Sequence, residues 1–230
     1  MGLCTLGHVC SPKTAGVTIS CLNATLALPR TSGGLVITLT LCEAKQNKKE
    51  TRMLLPRQKV PDLKLPTLDH GTFDLGKDNA EKGTVVCFYR GLHCPLCATY
   101  LAELEKLTPE FEKRGVKTFA LSVDGEERAR LMADKIKAST LRIGYDLSLA
   151  AARDWGLYIS TSRGKTSIDI EEPALFSEPG LFMITPAQTL YYGAVQTMPF
   201  VRPHFSDLLA AVDGAIAKNY PARGEYTGEV

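Results

Sequence analysis

The run Thr84-Val85-Val86-Cys87-Phe88-Tyr89 passes through a short link into Cys94-Pro95-Leu96-Cys97, at the head of an amphipathic helix. It is apolar on both faces of the pleat, so it reads as a strand covered on both sides. Pro95 suits the first helical position, where its missing N–H has no partner to lose. Cys97, Leu101, Leu104, Thr108 and Phe111 then recur at helical spacing, and Leu107 widens the stripe. Glu103 and Lys106 lie on a more polar face, and Gly115 supplies a stop. A buried strand feeding such a helix requires a sheet with helices packed on it. It also places Cys94 at the N-cap and Cys97 inside the first turn, facing the core.

That placement carries chemistry. Free N–H groups and the helix dipole favour a thiolate at a helix N-terminus, and the thiolate is the nucleophile. Cys94 is expected to be the exposed attacking sulfur and Cys97 the resolving one. Arg90 is close enough in sequence to lower the thiol pKa by Coulomb attraction, unless it is a surface charge at the strand end. His93 adjoins Cys94, but neighbouring residues rarely chelate one metal together, and no second CxxC or HxxxH follows to complete a zinc site. Haem attachment needs His after the second Cys, where Ala98 stands. The remaining alternative is that both cysteines are small buried hydrophobes.

Net charge is +2, which supplies no electrostatic argument for nucleic acid or an anionic membrane, and no apolar run reaches transmembrane length. The charges are unevenly spread. The first acidic residue is Glu43, and the segment before it is rich in Ser, Thr and Gly, with Cys4, Cys10, Cys21 and Cys42 in or beside it. Its hydrophobicity is aperiodic except over Leu35–Leu41, which could form a strand. Such a leader has transit-peptide traits, but Arg30 is its only arginine and it lacks an amphipathic pattern. Residues 1–52 are therefore expected to lie outside the catalytic fold, as a disordered or transit-like extension or an over-extended start before Met53. The domain proper is expected over residues 53–220, with a tail over 221–230. Beyond the leader, Cys87, Cys94 and Cys97 remain, which suits a reducing compartment with one cycling disulfide. The cytoplasm is expected, or an organelle if the leader is a transit peptide.

Strand and helix patterns alternate downstream. Val116–Val123 reads as a strand, and Asp124 with Glu127 as a capping box for a helix with Ala129, Met132 and Ile136 on its inner face. Leu141–Asp146 reads as a strand and Leu147–Trp155 as a short helix ended by Gly156. Tyr158–Ser177 is a long loop, either a cover for the site or a packed decoration. Leu181–Ile184 and Leu190–Tyr192 form a hairpin. A last helix from Pro203 to about Lys218 carries Phe205, Leu208, Leu209, Val212 and Ile216 inward. His204 reads as structural or surface, and Trp155 as core. The fold class is α/β, with a central mixed sheet flanked by helices.

Val60-Pro61-Asp62-Leu63-Lys64-Leu65-Pro66-Thr67 with Gly71-Thr72-Phe73-Asp74-Leu75 resembles the N-terminal β-hairpin of the peroxiredoxin (alkyl hydroperoxide reductase/thiol-specific antioxidant) family. Gly83–Arg90 looks like that family's first core strand, Cys94-Pro95 like its peroxidatic Cys-Pro, and Gly180–Ile184 like the strand of a late motif. The resemblance covers roughly Met53 to Tyr192 and implies a thioredoxin-like fold. The chain departs from the family at Gly91, where a Thr or Ser is usual, and at Pro179, where an Arg is common. Pro179 instead resembles the cis-Pro that faces the CxxC of thioredoxins.

The resemblance implies a thiol-dependent peroxidase that reduces hydroperoxides through Cys94 and Cys97, with Arg90, His93, Pro95 and Pro179 in support. The alternative is a thioredoxin-like disulfide oxidoreductase acting on protein disulfides. A redox-inactive scaffold is the third reading. Neither enzyme needs a cofactor or metal. Thioredoxin, glutaredoxin or glutathione would be the reductant, and homodimerisation is left open.

Overall fold

The computed structural model describes residues 17–23, 40–46, 53–78 and 80–230. The chain divides into two units, Met1–Glu50 and Thr51–Val230. In the first, β1 (Val17–Asn23) and β2 (Thr40–Gln46) pair antiparallel, with Val17 opposite Gln46 and Asn23 opposite Thr40. β2 shares only Thr40 and Leu41 with the strand expected over Leu35–Leu41. The rest of residues 1–52, on which the expectation of a disordered, transit-like or over-extended leader falls, lies outside the described residues.

The second unit opens with a short hairpin, β3 (Lys64–Pro66) and β4 (Thr72–Asp74), with Leu65 opposite Phe73. Then follow β5 (Gly83–Phe88), α1 (Pro95–Lys113), β6 (Val116–Leu121), α2 (Glu126–Ile136), β7 (Arg142–Gly144) and α3 (Leu149–Asp154). The chain ends with β8 (Ile159–Thr161), β9 (Leu175–Ser177), β10 (Gly180–Ile184), β11 (Leu190–Val195) and α4 (Phe205–Lys218). One sheet runs β11-β10-β5-β6-β7. β5, β6 and β7 are parallel, and β10 is antiparallel to both β5 and β11. This is the mixed, helix-flanked sheet expected of the α/β reading, with the expected hairpin ahead of it.

The pleat of β5 separates two cores. Val85, Cys87 and the following Tyr89 face one side with Leu101, Leu104 and Phe111 of α1, Met132 of α2 and Phe205 of α4. Val86 and Phe88 face the other with Phe73, Phe119, Trp155 and Phe182. Phe88 lies 5.3 Å from Trp155 and 5.7 Å from Phe182, centroid to centroid. Each fully buried ring of this kind contributes roughly 2–3 kcal/mol by removal from water. β5 is thus clamped from both sides, and its C-terminal end is a rigid platform for the turn that follows.

Three local expectations change. α2 is capped by Gly125 with no side-chain cap bond, so the Asp124–Glu127 box does not form; the Asp124 carboxylate turns inward to another partner. Residues 158–177 are not a loop but a two-stranded flap, in which β8 and β9 pair from Ile159 opposite Ser177 and a bridge joins Lys165 to Glu171. Ile216, in the last turn of α4, stays 40 % exposed. Among the described residues no helix is long and apolar enough to cross a membrane.

Candidate active site

Cys94 is the N-cap of α1, in an extended conformation, with Pro95 opening the helix. Cys97 lies one turn on, and its N–H donates to the Cys94 carbonyl at 3.1 Å. Both cysteines are buried, Cys94 at 1 % exposure and Cys97 at 0 %. The expectation of an exposed Cys94 is therefore corrected. Its cover comes from a segment more than a hundred residues downstream. Arg202 Nη2 sits 3.2 Å from Cys97 Sγ and 3.8 Å from Cys94 Sγ. The same guanidinium lies over the Tyr100 ring at 4.9 Å, and its Nε donates to the Pro199 carbonyl at 3.0 Å. Tyr100 in turn donates its hydroxyl to the Pro203 carbonyl at 2.6 Å and stacks on Phe205. The Pro199–Pro203 segment is thereby pinned over the sulfurs.

These contacts divide one negative charge unequally between two thiols. Cys94 is lowered to about 6, first because Cys97 donates its side-chain proton to it, against the opposing pull of burial. Arg202, the Cys97 N–H and Arg90 lower it further. Cys97 is held well above the ordinary thiol range by burial and by its neighbour Cys94. Cys87, buried in β5, is pushed up to about 12. A thiol held below the ordinary range carries more thiolate at pH 7 than a free cysteine does. The arrangement therefore favours ionisation at Cys94 and disfavours it at Cys97.

The turn between β5 and α1 is tight. Gly91 has φ +137°, and Cys94 N–H closes the turn on the Gly91 carbonyl at 3.1 Å. Leu92 N–H donates to Asp124 Oδ2 at 2.7 Å, and Asp124 Oδ1 lies 3.0 Å from Arg128 Nε. A Cβ on Gly91 would fall 2.7 Å from Asp124 Oδ2, so a side chain at position 91 and this carboxylate compete for one space.

Arg90 and His93 face the flap. Arg90 Nη2 donates to Glu172 Oε1 at 3.4 Å, and its Nε lies 3.3 Å from Glu178 Oε2. Its guanidinium covers the Phe176 ring at 4.7 Å, and His93 packs on the same ring at 4.7 Å. The cation is thus largely committed to carboxylates, and it ranks last among the groups that lower Cys94. His93 is fully buried with no partner for either ring nitrogen. Burial and then Arg90 lower it to about 4, so it is a neutral imidazole at pH 7.

Pro179 does not behave as the thioredoxin proline it resembles. No cis peptide bond occurs among the described residues. The chain runs extended from β9 into β10, and the Pro179 carbonyl accepts from Gln196 N–H at 3.0 Å as an extension of the ladder. The structure thus gathers Cys94, Cys97, Pro95, Arg90 and His93 around one turn. It adds Arg202 and Asp124, which sequence reasoning missed. Asp124 was disguised as a helix cap. Arg202 carries no spacing signal, since only tertiary folding brings it to the pair. No group of three or more His, Cys, Asp or Glu among the described residues is placed to hold a metal ion.

Comparison with known proteins agrees with this fold. Residues 56–192 match the profile of the AhpC/TSA family. The chain is 28% identical over 178 residues to a 1-Cys peroxiredoxin of Dirofilaria immitis, covering 71% of this chain and 74% of that one. A variant of peroxiredoxin 6 from Arenicola marina superposes with a TM-score of 0.60 at 19% identity, covering 73% of this chain and 76% of that one. AhpC of Mycobacterium tuberculosis superposes with a TM-score of 0.58 at 17% identity, covering 73% and 96%. With the family profile matched over residues 56–192, more than half of its length, this chain belongs to the AhpC/TSA family.

Proposed function

We propose that the protein is a thiol-dependent peroxidase whose reacting sulfur is Cys94. The observation that carries this reading is the placement of the Cys94 sulfur at the α1 N-terminus, beside Cys97 and 3.8 Å from Arg202 Nη2, an arrangement that favours its thiolate. Family membership supports it. The thiolate attacks one oxygen of a hydroperoxide; the O–O bond breaks and Cys94 becomes a sulfenic acid. The other oxygen leaves with a proton, as water or an alcohol. Cys97 then attacks the sulfenic sulfur, its proton leaves with the hydroxyl as water, and a Cys94–Cys97 disulfide forms. A dithiol of the thioredoxin or glutaredoxin class, or two glutathione molecules, restores the pair. The cycle belongs in a reducing compartment such as the cytoplasm. A homodimer is part of the proposal.

The name of the Dirofilaria relative favours a second reading, in which Cys94 works alone and an external thiol reduces its sulfenic acid directly. Disulfide exchange with a protein substrate loses one of its two supports, because Pro179 is trans.

Peroxide consumption with a thioredoxin reducing system, in wild type, Cys94→Ser and Cys97→Ser, tests the proposal. Turnover should vanish in Cys94→Ser. In Cys97→Ser the sulfenic acid should persist and be trapped by dimedone. Undiminished turnover in Cys97→Ser selects the one-cysteine cycle. Peroxide consumption that survives Cys94→Ser refutes the assignment, as does insulin reduction by a wild type that leaves peroxide untouched.

A further inference from the structure

The turn that delivers Cys94 is held from a distant strand end. Asp124 follows β6, and its carboxylate is fully buried. Its backbone is itself fixed, with the N–H donating to Ser122 Oγ at 3.3 Å and the carbonyl accepting from Asp146 N–H at 2.8 Å. From that anchor, Oδ2 takes the Leu92 N–H at 2.7 Å while Oδ1 meets Arg128 at 3.0 Å. The carboxylate also lies against the bare Cα of Gly91, since an added Cβ would fall 2.7 Å and 2.9 Å from its two oxygens. A buried carboxylate is costly unless paired and hydrogen-bonded. Here its partners are the backbone of the active turn and a cation of α2, and it makes no cap bond to α2. A residue that only terminated β6 or started α2 would need neither the Leu92 contact nor a glycine opposite.

We propose that Asp124 is a positioning residue for Cys94. It acts through the Leu92 N–H and the open face of Gly91 to hold the turn that sets the sulfur at the α1 N-terminus opposite Arg202. The proposal rests on the reading of Cys94 as the reacting thiolate. Asp124 touches neither sulfur nor peroxide. Its influence passes through two residues of backbone, a short and stiff path.

The test uses the full chain with Asp124→Asn, Asp124→Ala, Gly91→Ala and the Gly91→Ala/Asp124→Ala pair. The readouts are the midpoint of thiolate absorbance at 240 nm, taken as the difference from Cys94→Ser, and the rate of sulfur oxidation by hydrogen peroxide. Asp124→Ala should raise the midpoint by about one unit and slow oxidation about fivefold near pH 6, because the turn loses its acceptor. Asp124→Asn keeps an acceptor of the same shape and should restore most of both. Gly91→Ala should shift both in the same direction as Asp124→Ala. The double variant should be less impaired than the two single effects added, since the Cβ then has no carboxylate to meet. An unchanged midpoint and rate in folded Asp124→Ala would overturn the proposal. If Asp124→Ala does not fold, an unchanged midpoint in Gly91→Ala does the same. Strict additivity in the double variant also counts against it. The midpoint is read without peroxide, so a wild type inactive toward peroxide would sink the peroxidase reading and leave this comparison intact.

Discussion

Arg202 touches Cys97 Sγ at 3.2 Å and Cys94 Sγ at 3.8 Å, yet its guanidinium has a buried Nη1 with no partner. Its charge is therefore directed at the pair and at the Tyr100 ring. Among the groups that lower Cys94, the Cys97 hydrogen bond comes first and Arg202 is the leading charge. Arg202→Met keeps an unbranched apolar stem and removes the guanidinium with its charge. The Cys94 midpoint should then rise from about 6 by about one unit. The sign follows from the thiolate being the reactive form: its fraction grows with pH through the midpoint, so raising the midpoint costs most on the acid side. Stopped-flow oxidation should slow about fivefold at pH 6 and much less at pH 8. An equal loss at both pH values would mean that Arg202 acts otherwise than on ionisation. At this scale the two cysteines were legible, because CxxC after a strand fixes both their spacing and their helix position. The burial of Cys94 was not legible, because the covering Arg202 lies 108 residues away. Asp124 was misread because an Asp before Gly-Glu-Glu has a local use as a cap, and the tertiary use prevails.

The element that covers the site is fastened to it through Arg202. Pro199–Pro203 is held over the sulfurs by the Arg202 contacts, by Tyr100 and by the Pro199 carbonyl. Its outer side is apolar: Phe200 is 76 % and Val201 69 % exposed, so little else fastens it to the domain. In the proposed cycle Cys94 and Cys97 join as a disulfide; the thiolate then disappears and a half-buried guanidinium loses its anion. Removing one partner of a fully buried pair costs roughly 3–5 kcal/mol; a half-buried one costs a fraction of that, enough to loosen a segment held by so few contacts. Backbone amides of residues 196–203 should therefore exchange hydrogen faster in the oxidised protein than in the reduced one, while those of β5 and β10 stay unchanged. Equal protection of the segment in both states would show that Arg202 does not fasten it. The regular elements themselves were legible. β5, α1, α3 and α4 fall within a few residues of their periodic patterns, because their apolar stripes are also their packing faces. The flap was not, since its strands are three residues long and carry no periodicity. It is tied down by Glu172 and Glu178 on Arg90, pairings that only folding reveals.

Across the whole molecule, a sheet clamped by two cores delivers one turn, and that turn delivers one sulfur. The alternation of strand and helix patterns was sufficient for the α/β class. The order β11-β10-β5-β6-β7 follows from parallel crossovers on one side of β5 and a hairpin on the other. This frame leaves three thiols in the Thr51–Val230 unit with very different prospects: Cys94 at about 6, Cys97 well above the ordinary range, and Cys87 at about 12 in the middle of β5. In the proposed cycle oxidation begins at Cys94, ends as a bond to Cys97 and leaves Cys87 untouched. Peptide mapping by mass spectrometry of the reduced full chain, after one equivalent of hydrogen peroxide and rapid alkylation, tests this directly. A Cys94–Cys97 disulfide with Cys87 alkylated as a free thiol is the expected result. Recovery of Cys94 and Cys97 as free thiols, or of Cys94 bonded to Cys87, would contradict it.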